Sequence, residues 1–293
     1  MRYDIKENER IAEGEATTSP GPRGPSASAT PTAGPVARLL AFAYGTVAYA
    51  LFLGTYLYAI GFIGNFAVPT RLDSIAQGPF AQALIVNLLL LALFAVQHSV
   101  MARPGFKAVW TRVVPKPVER STYVLFSSLA LILMFALWQP MGVTIWNVET
   151  PAIRAVLYGL MAIGFIIVLI ATFLINHFDL FGMRQVWLYL RGREYTPLPF
   201  KTPLFYKYVR HPLYVGWLFA FWAAPTMTVA HLVFAVMTTA YILVAIQFEE
   251  RDLITIHGGD YVRYRRDVPM LIPRLPGTEG TGPGKIATDS ECA

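Results

Sequence analysis

Two short stretches gather side chains able to bind a doubly charged ligand. The first is Lys207-Tyr208-Val209-Arg210-His211-Pro212-Leu213-Tyr214-Val215-Gly216. The second is Phe248-Glu249-Glu250-Arg251-Asp252, followed by Gly258-Gly259-Asp260-Tyr261-Val262-Arg263-Tyr264. Proline is favoured in a helix's first turn, so Pro212 marks a helix start whose free N–H groups and positive dipole end can hold an anion. Arg210 by itself reads equally as a side chain reaching phospholipid headgroups. Gly216 permits close approach of a ligand or of another helix. An anion-binding helix start next to Glu249 and Glu250 suits a zwitterion that carries both a carboxylate and an ammonium.

Two further segments hold candidate bases, Gln97-His98 and Asn176-His177-Phe178-Asp179. Imidazole titrates near neutrality, which suits it to general base work. Asn176 and Asp179 lie one helical turn apart, so this segment is expected to present an amide, an imidazole and a carboxylate together, with Asp179 orienting His177. His98 also reads as a cap or anchor at a helix end. His231 and His257 read as structural. The single cysteine, Cys292, rules out a disulfide or a cysteine metal site within one chain. The five histidines are scattered, with no HxxxH or HxxHH spacing, and no metal is called for.

The elements that must position these residues are apolar. Of 293 residues 55% are hydrophobic and 14% charged, with mean hydropathy +0.47, where a soluble domain is about 25% charged. Windows 39–70, 74–102, 121–148, 155–178 and 211–248 contain no Asp, Glu, Lys or Arg, and each can hold a spanning helix of about 20 residues. The pattern predicts helices near 37–63, 80–101, 122–139 and 153–176. The last window is interrupted at Ala224-Pro225-Thr226, where proline breaks the hydrogen-bond ladder, and reads as a helical hairpin. The expected fold is therefore all-α: a polytopic integral membrane helical bundle of four spanning helices plus a C-terminal hairpin, with a membrane domain over 36–275. The Ser/Pro/Gly-rich start, 1–35, reads as a disordered arm and 276–293 as a disordered tail. The first apolar window opens only near Val36, unlike a secretory signal.

Orientation follows from the basic residues. Loop 102–120 holds Arg103, Lys107, Arg112, Lys116 and Arg120, and loop 179–210 holds Arg184, Arg191, Arg193, Lys201, Lys207 and Arg210, whereas loops 64–79 and 139–154 hold only Arg71 and Arg154. The positive-inside rule puts both termini and the two basic loops in the cytoplasm. The net charge of +6 is thus topological, and no nucleic acid is expected. His98, His177, His211 and Glu249 then fall at four helix ends on one leaflet, which points to a cytoplasm-facing site.

The combination RHPxYxG, then EE, then GxxYxxY, over residues 205–274, resembles the S-adenosylmethionine site of the membrane methyltransferases related to isoprenylcysteine carboxyl methyltransferase. With Gln97-His98-Ser99, Asn176 to Gly182 and Arg184-Gln185-Val186-Trp187 added, the chain is similar to the NnrU-like branch and to its thiol S-methyltransferases. The resemblance implies a cofactor carboxylate at the N–H groups after His211-Pro212 and an ammonium at Glu249 or Glu250. It also implies a sulfonium against aromatic faces such as Tyr214, with Tyr208, Tyr261 and Tyr264 walling the adenosyl group. The implied reaction is methylation of a small thiol, methanethiol to dimethyl sulfide, with His98, or His177 oriented by Asp179, taking the thiol proton. Membrane lipid is the other expected partner. A second reading keeps the fold and methylates an isoprenylcysteine carboxylate or a phospholipid amine; a carboxylate is already ionised and needs no base. Other classes are a haem-binding electron carrier with His98 and His177 as axial ligands, which leaves the Arg210 and Glu249-Glu250 segments without purpose, and a transporter.

Overall fold

The computed structural model describes residues 34–274. Nearly all of the arm at 1–35, the tail at 276–293 and Cys292 lie outside the described residues. Among the described residues five helices are long and apolar enough to cross a membrane: α1 (Pro35–Gly64), α2 (Phe80–Ala102), α4 (Lys116–Leu137), α5 (Pro151–Ile175) and α9 (Val229–His257). Shorter helices occupy the basic segments at one end: α3 (Pro104–Trp110), α6 (His177–Leu180), α7 (Met183–Leu190) and α10 (Gly259–Asp267). The hairpin's first arm is α8 (Pro212–Trp222). Helices α1, α3, α4, α5 and α8 each carry proline in the first turn, where a missing N–H costs no intrahelical bond. Helix α4 starts six residues before the expected boundary because Lys116, Glu119 and Arg120 extend its polar end.

The hairpin is present with unequal arms. Helix α8 has 11 residues and α9 has 29, so at 1.5 Å per residue α8 rises only about 16 Å, roughly half the hydrocarbon thickness. Beyond it the chain makes a small antiparallel ribbon, β2 (Thr226–Thr228) pairing with β1 (Thr144–Asn147). That ribbon is an addition to the all-α expectation. It ties the hairpin tip to the α4–α5 connection.

Outward-facing Leu40, Val47, Leu57, Leu89, Val96 and Val156 are exposed along the long helices, as lipid-facing positions are. Lipid tails are as apolar as leucine, so helix association in a bilayer depends on close packing rather than burial from water. The bundle shows this at its small residues. Gly164 of α5 and Gly216 of α8 bring two backbones into contact, and Gly45 of α1 makes room for Val186 and Ser121. Phe62, Phe135, Trp138, Phe221 and Phe234 fill the centre with tilted and edge-to-face rings.

Candidate active site

Arg210, at the start of the hairpin, and Glu250, near its end, form the structural centre of the site. The Glu250 carboxylate is 2% exposed and accepts from Arg210 Nε at 2.8 Å, His211 Nε2 at 3.1 Å and Arg265 Nε at 3.0 Å. Arg210 also donates to the carbonyls of Arg265 (2.8 Å) and Val268 (2.5 Å), while the backbone N–H groups of Arg210 and His211 donate to Pro269 and Met270. A buried charge is tolerated only when paired and hydrogen-bonded, and here three cationic or polar donors meet that condition. Glu250 is thereby spent on joining α8, α9 and the segment after α10. Of the two carboxylates expected at an ammonium, it is the buried one, already committed to three donors.

Glu249 keeps capacity. Its side chain is 44% exposed, with His211 Nδ1 at 3.8 Å and the Tyr214 hydroxyl donating to Oε2 at 2.9 Å. Tyr261 is buried, and its hydroxyl has no partner among the described residues. Tyr264 donates to the carbonyl of Tyr206 at 2.6 Å, and Phe200 meets Tyr261 and Tyr264 edge-on. Burial holds the phenols of Tyr206, Tyr261 and Tyr264 well above their ordinary range, and the nearby carboxylate of Glu249 adds to this at Tyr206 and, after Glu250, at Tyr261. They are neutral walls around an acidic group.

Three expected ligand residues have other surroundings. Tyr208 is 67% exposed. Gly216 faces Gly164 and Val168, where a Cβ would come within 2.7 Å of the Gly164 carbonyl oxygen, so its close approach is to a helix. At Pro212 the helix start is largely closed, because the His211 carbonyl accepts the N–H groups of both Tyr214 and Val215. The Leu213 N–H has no acceptor among the described residues and is the donor left for an anion.

His98 projects from α2 onto α4. Tyr123 Oη lies 2.8 Å from Nε2, and Ser127 Oγ lies 3.1 Å from Nδ1. One residue on, Ser99 bonds Tyr241 of α9 at 3.2 Å, and Arg103 closes the α2–α9 contact through Asp252 at 3.0 Å. Tyr214 thus meets Glu249 on the hairpin side, and Tyr123 meets His98 on the α2–α4 side.

His177 is held differently. Asn176 stops α5 and caps a new turn by accepting the Asp179 N–H at 3.1 Å, which sends the His177 ring back onto α1 and α5. Thr172 commits its hydroxyl proton to the Leu169 carbonyl (2.6 Å), so its oxygen accepts from His177 Nδ1 at 2.8 Å. The Nε2 lone pair then accepts the Tyr49 hydroxyl proton at 2.7 Å. Burial lowers the His177 pKa, consistent with this neutral tautomer. Asp179 does not orient it. The break at Asn176 turns the Asp179 carboxylate to Arg184 (2.9 Å) and Tyr195 (3.2 Å), where it orders the segment after α6. With neither ring nitrogen free, His177 is also unsuited to ligate haem. His231 lies apart from the site, against Asp73, and His257 stands behind it, against the Phe200 ring that meets Tyr261 and Tyr264.

Tyr49, Tyr123, Tyr206, Tyr241 and Arg265 were not anticipated. Tyrosine hydroxyls inside apolar windows need partners, which is the one signal that points to Tyr49, Tyr123 and Tyr241.

Fold and site together define a polytopic helical membrane protein with a charged, tyrosine-lined site at one end. The chain belongs to the NnrU family, whose model, described as NnrU protein, matches residues 86–248. It is 61% identical over 238 residues to the methanethiol S-methyltransferase of Crocosphaera subtropica, covering 81% of this chain and 93% of the relative. The methanethiol S-methyltransferase of Mycobacterium tuberculosis is 52% identical over 80% of this chain and 97% of its own length. Nurim of Rattus norvegicus is 30% identical over 57% of this chain and 66% of its own. No solved structure matches.

Proposed function

We propose that this protein transfers a methyl group from S-adenosylmethionine to methanethiol, giving dimethyl sulfide, at a site facing the cytoplasm. The reading rests on one arrangement, in a chain similar over about four fifths of its length to a methanethiol S-methyltransferase: a carboxylate with spare capacity, Glu249, bonded by Tyr214, in a bundle that also holds His98 against the Tyr123 hydroxyl. The unpartnered Tyr261 hydroxyl and Leu213 N–H are further polar groups that a ligand would satisfy. The basic loops at this end support the cytoplasmic orientation.

When bound, S-adenosylmethionine supplies an electrophilic methyl carbon on a positively charged sulfur. Glu249 would hold the ammonium and the Leu213 N–H the carboxylate, while Tyr206, Tyr261 and Tyr264 enclose the adenosyl group. An alkyl thiol is mostly protonated at neutral pH, and the thiolate is the nucleophile. His98 takes the thiol proton through Tyr123, whose hydroxyl bonds its Nε2, and returns it to water after turnover. The apolar faces of Phe94 and Phe52, the latter stacked on Phe181 at 3.8 Å, keep water from competing. His177 serves to fix α1 on α5.

The test is methyl transfer from labelled S-adenosylmethionine to methanethiol by the detergent-purified protein, with dimethyl sulfide read in the head-space and farnesylcysteine as control. Dimethyl sulfide without labelled farnesylcysteine ester is the expected result. Labelled ester without dimethyl sulfide would overturn the choice of acceptor.

A further inference from the structure

At the end of the bundle opposite His98 and Glu249 lies a cavity of about 560 Å³ lined by Asn65, Arg71, Asp73, Ser74, Arg154 and Thr226, among others. The methyl-transfer chemistry makes no use of it. Arg71 and Arg154 are the sole basic residues of segments 64–79 and 139–154, and residues 223–228 hold none. All the positive charge that these three connections carry is therefore collected in one cavity. Neither arginine pairs with a carboxylate among the described residues.

Arg154 is held in place by the Val148 carbonyl (2.8 Å), Asn147 Oδ1 (3.3 Å) and Thr226 Oγ1 (3.5 Å), all through Nη1, and its fork lies over the Tyr158 ring. Its Nη2 and Nε hydrogens make no bond among the described residues, and Arg71 commits only Nε, to Val68. Asp73 is the one carboxylate in the lining, and its charge is already met. It accepts from His231 Nδ1 at 2.8 Å, Thr228 Oγ1 at 2.5 Å and Asn65 Nδ2 at 2.6 Å. His231 Nε2 faces the Phe221 carbonyl at 2.9 Å. The ring is thus held between Asp73 and the Phe221 carbonyl. Arg71 and Arg154 remain without a carboxylate partner among the described residues, beside the amide of Gln77.

We propose that this cavity binds a phosphate group, that of an anionic phospholipid headgroup. Planar guanidinium forks match phosphate oxygens two at a time, and the Gln77 amide can donate to a remaining oxygen. Ile75, also in the lining, is 86% exposed, an apolar lip suited to the start of an acyl chain. Free inorganic phosphate offers the same oxygens without the chain. Occupancy would join loop 65–79, the start of α5 and the hairpin tip.

The experiment is native mass spectrometry of the full chain released from a neutral detergent, titrated with phosphatidylglycerol, phosphatidylcholine or inorganic phosphate. Wild type is expected to retain phosphatidylglycerol in preference to phosphatidylcholine. Arg71→Gln and Arg154→Gln should each weaken retention about ten-fold, as loss of charge-assisted bonds does, while Arg112→Gln at the other end leaves it unchanged. Displacement by millimolar inorganic phosphate would support the phosphate chemistry with free anion as the source. Arg71, exposed and held by one backbone bond, provides a variant that folds even if Arg154→Gln does not. Equal retention of phosphatidylglycerol by wild type and Arg71→Gln, or equal loss in Arg112→Gln, would overturn the proposal.

Discussion

Gly164 and Gly216 face each other across α5 and α8 so closely that a Cβ on either would fall 2.6–2.7 Å from the other's carbonyl oxygen. This contact seats the short arm of the hairpin, and with it Pro212, His211 and the Glu250 latch. Backbone atoms cannot swing aside as side-chain ends do. Gly216→Val should therefore cost about 1–3 kcal/mol and also weaken cofactor binding, read as a lower Tm in detergent and a raised Kd for S-adenosylmethionine. An unchanged Tm would show that the two helices separate freely.

Glu249 and Glu250 are adjacent and should fail differently. Glu249→Gln removes a half-exposed carboxylate and is expected to raise the Kd for S-adenosylmethionine roughly ten-fold with little change in stability. Glu250→Ala strands Arg210, His211 and Arg265 and should cost about 3–5 kcal/mol of stability, as other broken buried pairs do. Equilibrium dialysis beside thermal unfolding separates the two; equal effects on binding and folding for both variants would refute the division of labour.

His98→Ala should lower turnover by about 10²–10⁴-fold, the usual share of a general base, while leaving S-adenosylmethionine binding intact. The defect should shrink as pH rises towards the thiol's own pKa, because solvent then supplies the thiolate. His177→Asn is expected to lower Tm more than it lowers kcat. A His177 variant that binds cofactor and is folded but inactive would move the base to the Tyr49–His177 pair.

Acid should loosen the end of the bundle that carries Asp73. Burial pushes its carboxyl up, but the hydrogen bond and charge of His231, with Thr228 and Asn65, hold it below the ordinary 3.8. A depressed folded pKa means that the stabilisation is complete above the unfolded value and is lost as pH falls through the folded one. Tm measured from pH 6 to pH 3 should fall less steeply in Asp73→Asn than in wild type. Parallel acid limbs would mean that Asp73 titrates alike in the folded and unfolded chains.

Composition and the uncharged windows were enough to establish a polytopic helical bundle, and Pro212 was enough to mark where the hairpin's first helix starts, because hydropathy and the missing proline N–H act locally and need no knowledge of neighbours. The spacing of Arg210-His211-Pro212 and Glu249-Glu250 likewise shows that opposite charges meet when the hairpin closes. Which carboxylate remains exposed was settled only in three dimensions: Glu250 is buried and takes its third donor from Arg265, a residue fifteen positions further along whose direction depends on the turn into α10. The same holds for Asp179, drawn to Arg184 by a helix break at Asn176, and for Gly216, whose partner is a backbone 52 positions away. Hydrogen-bond partners are a property of directions and distances across the bundle, which residue types along the chain do not contain.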